Sequence, residues 1–101
     1  MIRVMVRYKV KPERREENEA LIRAVYQELE RTAPSAFSYA TFRLDDGVSF
    51  MHIASDERER GHGALREVKA FQEFQREIGE RCVEAPVVTE LEEIGSFGFW
   101  R

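Results

Sequence analysis

A chain of 101 residues fits one domain, 1–101, and leaves no room for a second. Its 43% apolar and 35% charged residues, at a net charge of −3, exclude a disordered chain, and neither half is basic enough to track a nucleic-acid backbone. The lone cysteine, Cys82, cannot close an internal disulfide, so a reducing cytoplasm is the expected location. The N-terminal apolar residues alternate with Arg3, Arg7 and Lys9 rather than forming the unbroken run of a signal peptide. No stretch is long enough to cross a membrane.

Residues 2–10 alternate with period two. Val4, Val6, Tyr8 and Val10 share one face, and Arg3, Met5, Arg7 and Lys9 the other, which predicts a strand. Pro12 suits the first turn of a helix running to about Ala33, with Leu21, Ile22, Val25 and Leu29 as its apolar stripe. Pro34 and Ser35 stop it. Two further strands, at 37–44 and 48–54, are joined by Asp45-Asp46-Gly47, the signature of a hairpin. Setting Leu44 opposite Val48 puts Phe42 and Ala40 beside Phe50 and His52 on one face. Tyr39, Thr41, Arg43, Met51 and Ile53 then take the other.

A charged loop, 55–63, precedes a second helical pattern. Leu65, Val68, Phe71, Phe74, Ile78 and Cys82 recur at three- and four-residue spacing. Gly79 weakens its last turn, Pro86 ends it, and a closing strand covers 87–94. The order β-α-β-β-α-β predicts an α+β, ferredoxin-like fold: a four-stranded antiparallel sheet with two helices on one face and the first strand between the third and fourth.

Two helices cover one sheet face. The other, with Met5, Met51 and Ile53, is too apolar to stay wet, and Phe97, Phe99 and Trp100 also need a surface, so a homodimer is expected. Glu90 and Glu92 are expected to neutralise some of Arg3, Arg7 and Arg43 on that outer face.

Four segments in order carry a family resemblance. They are MIRVMVRYKVKPE, the hairpin YATFRLDDGVSFMHIASDE, the helix LREVKAFQEF and the closing TELEEIGSF. Together they resemble the antibiotic biosynthesis monooxygenase family of the dimeric α/β-barrel superfamily. The resemblance implies two sheets facing across a dimer and a pocket in each protomer between sheet and helices. It also implies activities that range from cofactor-free oxygenation of aromatic polyketides to haem degradation, isomerisation or no catalysis. Haem-degrading members use an Asn, a Trp and a His around the haem. Here the only Asn is Asn18, inside the first helix, and the only Trp is Trp100.

His52 is the candidate catalytic residue. An imidazole mid-strand among apolar neighbours can act as a base near neutral pH, and cofactor-free oxygenation needs a base to make an electron-rich anion. The plainer reading is a hydrogen-bonded core histidine. Tyr8, Phe42, Phe50, Phe71 and Phe74 are the candidate walls of a site for a small aromatic ligand, with His62 as a lid residue, although such residues at this spacing also build ordinary cores. Cys82 is a packing residue. Two histidines ten apart give no metal site, and the sequence has no P-loop, GxGxxG, CxxC or HExxH motif, so neither cofactor nor metal is expected. The leading expectation is a cofactor-independent monooxygenase or isomerase. The alternative is a non-catalytic small-molecule-binding or accessory dimer module, with a purely structural dimer as a third.

Overall fold

The computed structural model describes residues 2–57 and 64–99. Strand β1 (Ile2–Val10) leads through a 3₁₀ turn, Pro12–Arg14, into α1 (Arg15–Thr32). Strands β2 (Phe37–Arg43) and β3 (Ser49–Asp56) form the hairpin. A second 3₁₀ turn, Leu65–Glu67, precedes α2 (Lys69–Gln75), α3 (Ile78–Arg81) and β4 (Cys82–Leu91). The sheet is antiparallel in the order β2-β3-β1-β4, as the ferredoxin-like reading requires. No helix among the described residues is long and apolar enough to cross a membrane.

The stripes read from the sequence form the core. Tyr8, Val10 and Phe50 of the sheet pack against Ile22 and Val25 of α1 and against Leu65, Val68, Phe71 and Phe74. Ala33, in the left-handed conformation, closes α1 by donating its N–H to the Leu29 carbonyl. The Glu28 carboxylate joins the helices by accepting the Lys69 and Ala70 N–H groups at the start of α2.

The hairpin register differs from expectation by one residue. Arg43 faces Phe50, Thr41 faces His52, and the Leu44 N–H donates to the Ser49 carbonyl. The cause is Asp46. Its carboxylate accepts the N–H groups of Val48 and Ser49 and the Ser49 hydroxyl. Val48 is thereby drawn into the loop, and Gly47 takes the left-handed position. The same donors, the Ser49 side chain first, hold the Asp46 carboxyl down at about 2. A slip of one residue turns every β2 side chain over. Tyr39, Thr41 and Arg43 therefore face the helices, and Arg43 pairs with Glu19 of α1 at 2.8 Å. Phe42 and Ala40 lie on the outer face, with Phe42 48% exposed. On β4's side of the sheet, Glu93 takes Arg3 at 3.3 Å, while Glu90 is registered opposite Val4 on the helix side.

The second helix is also interrupted earlier than Gly79. Glu77 adopts a left-handed φ of 56° and separates α2 from α3. Cys82 starts β4, where the sequence pattern continued the helix. Pro86 sits within this edge strand, at a shift in its register with β1, where a missing N–H leaves the ladder intact.

Phe50 faces the core on β3, where its ring is almost wholly buried beside Tyr8 and α1. Phe50→Ala is expected to cost about 3–5 kcal/mol in urea unfolding at fixed protein concentration. A cost below about 1 kcal/mol would place its ring outside the core.

Candidate functional site

Between the sheet and the α2–α3 segment lies a cavity of about 590 Å³. Its sheet side is Val4, Val6, Ala54 and Val88, all on the face that β1 pairing turns toward the helices. Leu65, Phe71, Phe74 and Ile78 form the opposite wall. The volume suits a ligand of two or three fused rings, and the walls offer it mostly carbon. On the sheet side polarity gathers at one corner, where Tyr39 of β2 meets His52 of β3. Gln72 and Gln75 add amides, and Arg66 a guanidinium, on the helical side.

That corner is the end of a buried hydrogen-bond chain. The Arg81 Nε–H donates to Asn18 Oδ1 at 3.3 Å, and Asn18 Nδ2 donates to the Tyr8 hydroxyl at 3.0 Å. Tyr8 Oη lies 2.8 Å from His52 Nε2. On the other side of the ring, Nδ1 lies 2.6 Å from the Tyr39 hydroxyl and 3.1 Å from Thr41 Oγ1. Thr41 continues to Tyr26 at 2.7 Å. Arg81 is buried and also donates to the carbonyls of Phe74 and Arg76, so it caps the C-terminal end of α2.

Burial sets the electrostatics of this chain. It pushes the Tyr8 and Tyr39 phenols far above their ordinary range, so both keep their protons. It pushes His52 down to about 4, so the imidazole is neutral at physiological pH. A neutral imidazole with both nitrogens engaged is a hydrogen-bond relay. As a base it is weak.

The expected site residues therefore divide. His52, Phe71 and Phe74 line the cavity. Tyr8 lies behind it, stacked on Phe50 at 5.6 Å and joined to the site through His52. Phe50 belongs to the core and to a shallow groove beside Tyr26 and Thr41. Phe42 is on the opposite face of the sheet, for the register reason given above. His62 lies outside the described residues. Tyr39 replaces Phe42 at the site. Asn18 and Arg81 enter it from within helical patterns, where period alone gave them no role. Among the described residues no three His, Cys, Asp or Glu side chains gather as metal ligands would.

The depressed His52 pKa has a consequence for stability. Between about pH 4 and pH 6.5 the unfolded chain holds the imidazole proton and the folded chain does not. The contribution is complete above pH 6.5 and is lost as pH falls, the loss amounting to roughly 3 kcal/mol at about pH 4. Urea titrations from about pH 7 to pH 5 should show wild-type stability falling, and His52→Gln falling markedly less. Equal slopes would contradict the assignment.

No protein-family model matches the chain, and no curated protein sequence does. Solved structures do. An antibiotic biosynthesis monooxygenase is 18% identical over 94% of this chain and 100% of its own, with a TM-score of 0.75. Rv0793 from Mycobacterium tuberculosis is 20% identical over 94% of this chain and 96% of its own, at 0.71. NE2512 from Nitrosomonas europaea, a protein of unknown function, is 12% identical over 95% and 91%, at 0.72. Likeness at this level of identity is a statement about fold. This chain has the fold of the antibiotic biosynthesis monooxygenase-like proteins, which is the resemblance its sequence carries.

Proposed function

We propose that this protein binds a small aromatic molecule in the cavity between sheet and helices and oxygenates it without a cofactor. The observation that carries the reading is the cavity itself: mostly apolar walls, room for fused rings, and a polar corner on the sheet side made by Tyr39 and His52. At that corner the reaction would rest on the ligand's own acidity. A hydrogen bond from Tyr39, held by His52, stabilises the ligand as an enolate or phenolate, and the anion supplies electrons to oxygen. For an activated methylene the balance is R₂CH₂ + O₂ → R₂C=O + H₂O. One oxygen atom enters the product and the other leaves as water. His52 then orients the phenol, and its own weak basicity at about 4 fits that role better than proton abstraction.

One observation favours a second reading, a non-catalytic binding or accessory module. Both ring nitrogens of His52 are already hydrogen-bonded within the protein. Thermal-shift screening against anthrone, hydroquinones and flavonoids, followed by oxygen uptake with any ligand that raises Tm, separates the two. A ligand that stabilises the protein and consumes oxygen, with kcat lowered about tenfold or more in Tyr39→Phe, is the expected result. Stabilisation without uptake would select the binding module. Absence of any shift would remove the aromatic-ligand reading.

The assembly we propose is a homodimer. Phe42, Val87 and Leu91 stand 48%, 63% and 37% exposed on the outer sheet face, and Ile94, Phe97 and Phe99 follow on the tail. Apolar surface of this extent fits a second copy of the chain. A cytoplasmic location suits the single free thiol of Cys82. Light scattering at micromolar concentration should give twice the chain mass of 11.9 kDa. The monomer mass would overturn the dimer.

A further inference from the structure

The hydrogen bonds behind the cavity have a direction, and Arg81 sets it. A guanidinium donates and never accepts. Its Nε–H therefore fixes Asn18 with Oδ1 toward Arg81 and Nδ2 toward Tyr8. The Tyr8 oxygen then accepts from Asn18, and its own proton is left for His52 Nε2, 2.8 Å away. The reverse arrangement, with Nε2–H donating to Tyr8, would leave the Tyr8 proton unmatched in a site 2% exposed. A buried unpaired hydroxyl disfavours that state by roughly tenfold to a hundredfold.

With Nε2 accepting, the neutral ring carries its proton on Nδ1. That proton points to the Tyr39 oxygen at 2.6 Å and to Thr41 at 3.1 Å. Tyr39 thus accepts from the histidine, and what it has left to offer the cavity is its O–H.

We infer that Arg81 and Asn18 are positioning residues which, through Tyr8, hold His52 as the Nδ1–H tautomer and make the polar corner of the cavity a donor to an acceptor oxygen on the ligand. The ligand half of this inference rests on the aromatic-ligand reading above. The tautomer half stands on the geometry alone. Neither Arg81 nor Asn18 is among the cavity's lining residues, so their effect on specificity is exerted entirely through the chain.

Asn18→Asp reverses the direction with almost no change of shape. A carboxylate accepts from Arg81 and from Tyr8 alike, so the Tyr8 proton turns away from the histidine. Its oxygen then accepts Nε2–H, Nδ1 becomes an acceptor, and Tyr39 spends its proton on the ring. Nitrogen-15 NMR of labelled histidine at neutral pH reads the tautomer directly. The wild type should show Nδ1–H and Asn18→Asp should show Nε2–H. Tyr8→Phe, which removes the relay with little volume change, should give a mixture and serves if Asn18→Asp does not fold. An Nε2–H wild type, or an unchanged tautomer in the variants that fold, would overturn the inference.

For the ligand, 2-acetonaphthone and 2-ethylnaphthalene differ by a carbonyl and are the probes. The ketone should bind the wild type about tenfold more tightly, and the preference should shrink toward parity in Asn18→Asp. Equal affinities in the wild type would overturn the donor assignment. Tautomers that behave as stated while neither probe binds would uphold the positioning role and remove the aromatic-ligand reading on which the specificity rests.

Discussion

Arg81 brings a full charge into the interior, where dipoles meet it. The Phe74 and Arg76 carbonyls, the Asn18 amide oxygen and the Phe74 ring face surround its guanidinium. Burying a charge is tolerable only when its donors are matched, and here the matching shapes the chain. Two carbonyls at the end of α2 turn to Arg81, the backbone reverses at Glu77, and Cys82 can enter the sheet beside Val10. The same contacts place Phe74 against His52, at 5.4 Å between ring centres, and so form one wall of the cavity. Arg81 thus links the end of the helical layer to the edge strand and to the polar network under the sheet.

The network explains how an apolar cavity can hold a polar corner. Tyr8, Asn18 and His52 are each nearly fully buried, and each finds partners along the chain. In a low-dielectric interior such a chain favours neutral groups with fixed donors and acceptors. That is an environment for recognising or stabilising an oxygen atom, and a poor one for storing a proton on imidazole. Related folds are found in monooxygenases and in proteins of unknown function alike, so the chemistry has to be argued from this corner rather than from the scaffold.

Much of the scaffold was legible in the sequence because it depends on period. The alternation from Val4 to Val10 and the stripe Leu65, Val68, Phe71 and Phe74 are statements about which face meets the core, and the core follows them. Side-chain to backbone bonds carry no such period. The Asp46 carboxylate lengthened the hairpin loop by one residue, and that exchanged Phe42 for Tyr39 at the site. Arg81 ended a helical pattern that by spacing alone runs on to Cys82. Asn18 occupies the apolar stripe of α1, one turn before Ile22. A polar residue on a buried stripe is the available signal for a buried partner, and Asn18 is the chain's only Asn. His52 was placed on the correct face, because β3 keeps its alternation whichever way β2 is registered.

If the corner of Tyr39 and His52 receives the polar end of an aromatic ligand, a crystal structure of the protein with 2-acetonaphthone will show it. The rings should lie between Phe74 and Val88, with the carbonyl oxygen about 2.7 Å from the Tyr39 hydroxyl, the distance of a sound O–H···O bond. A ketone bound with its oxygen turned away from that corner, or bound on the outer face of the sheet, would contradict it.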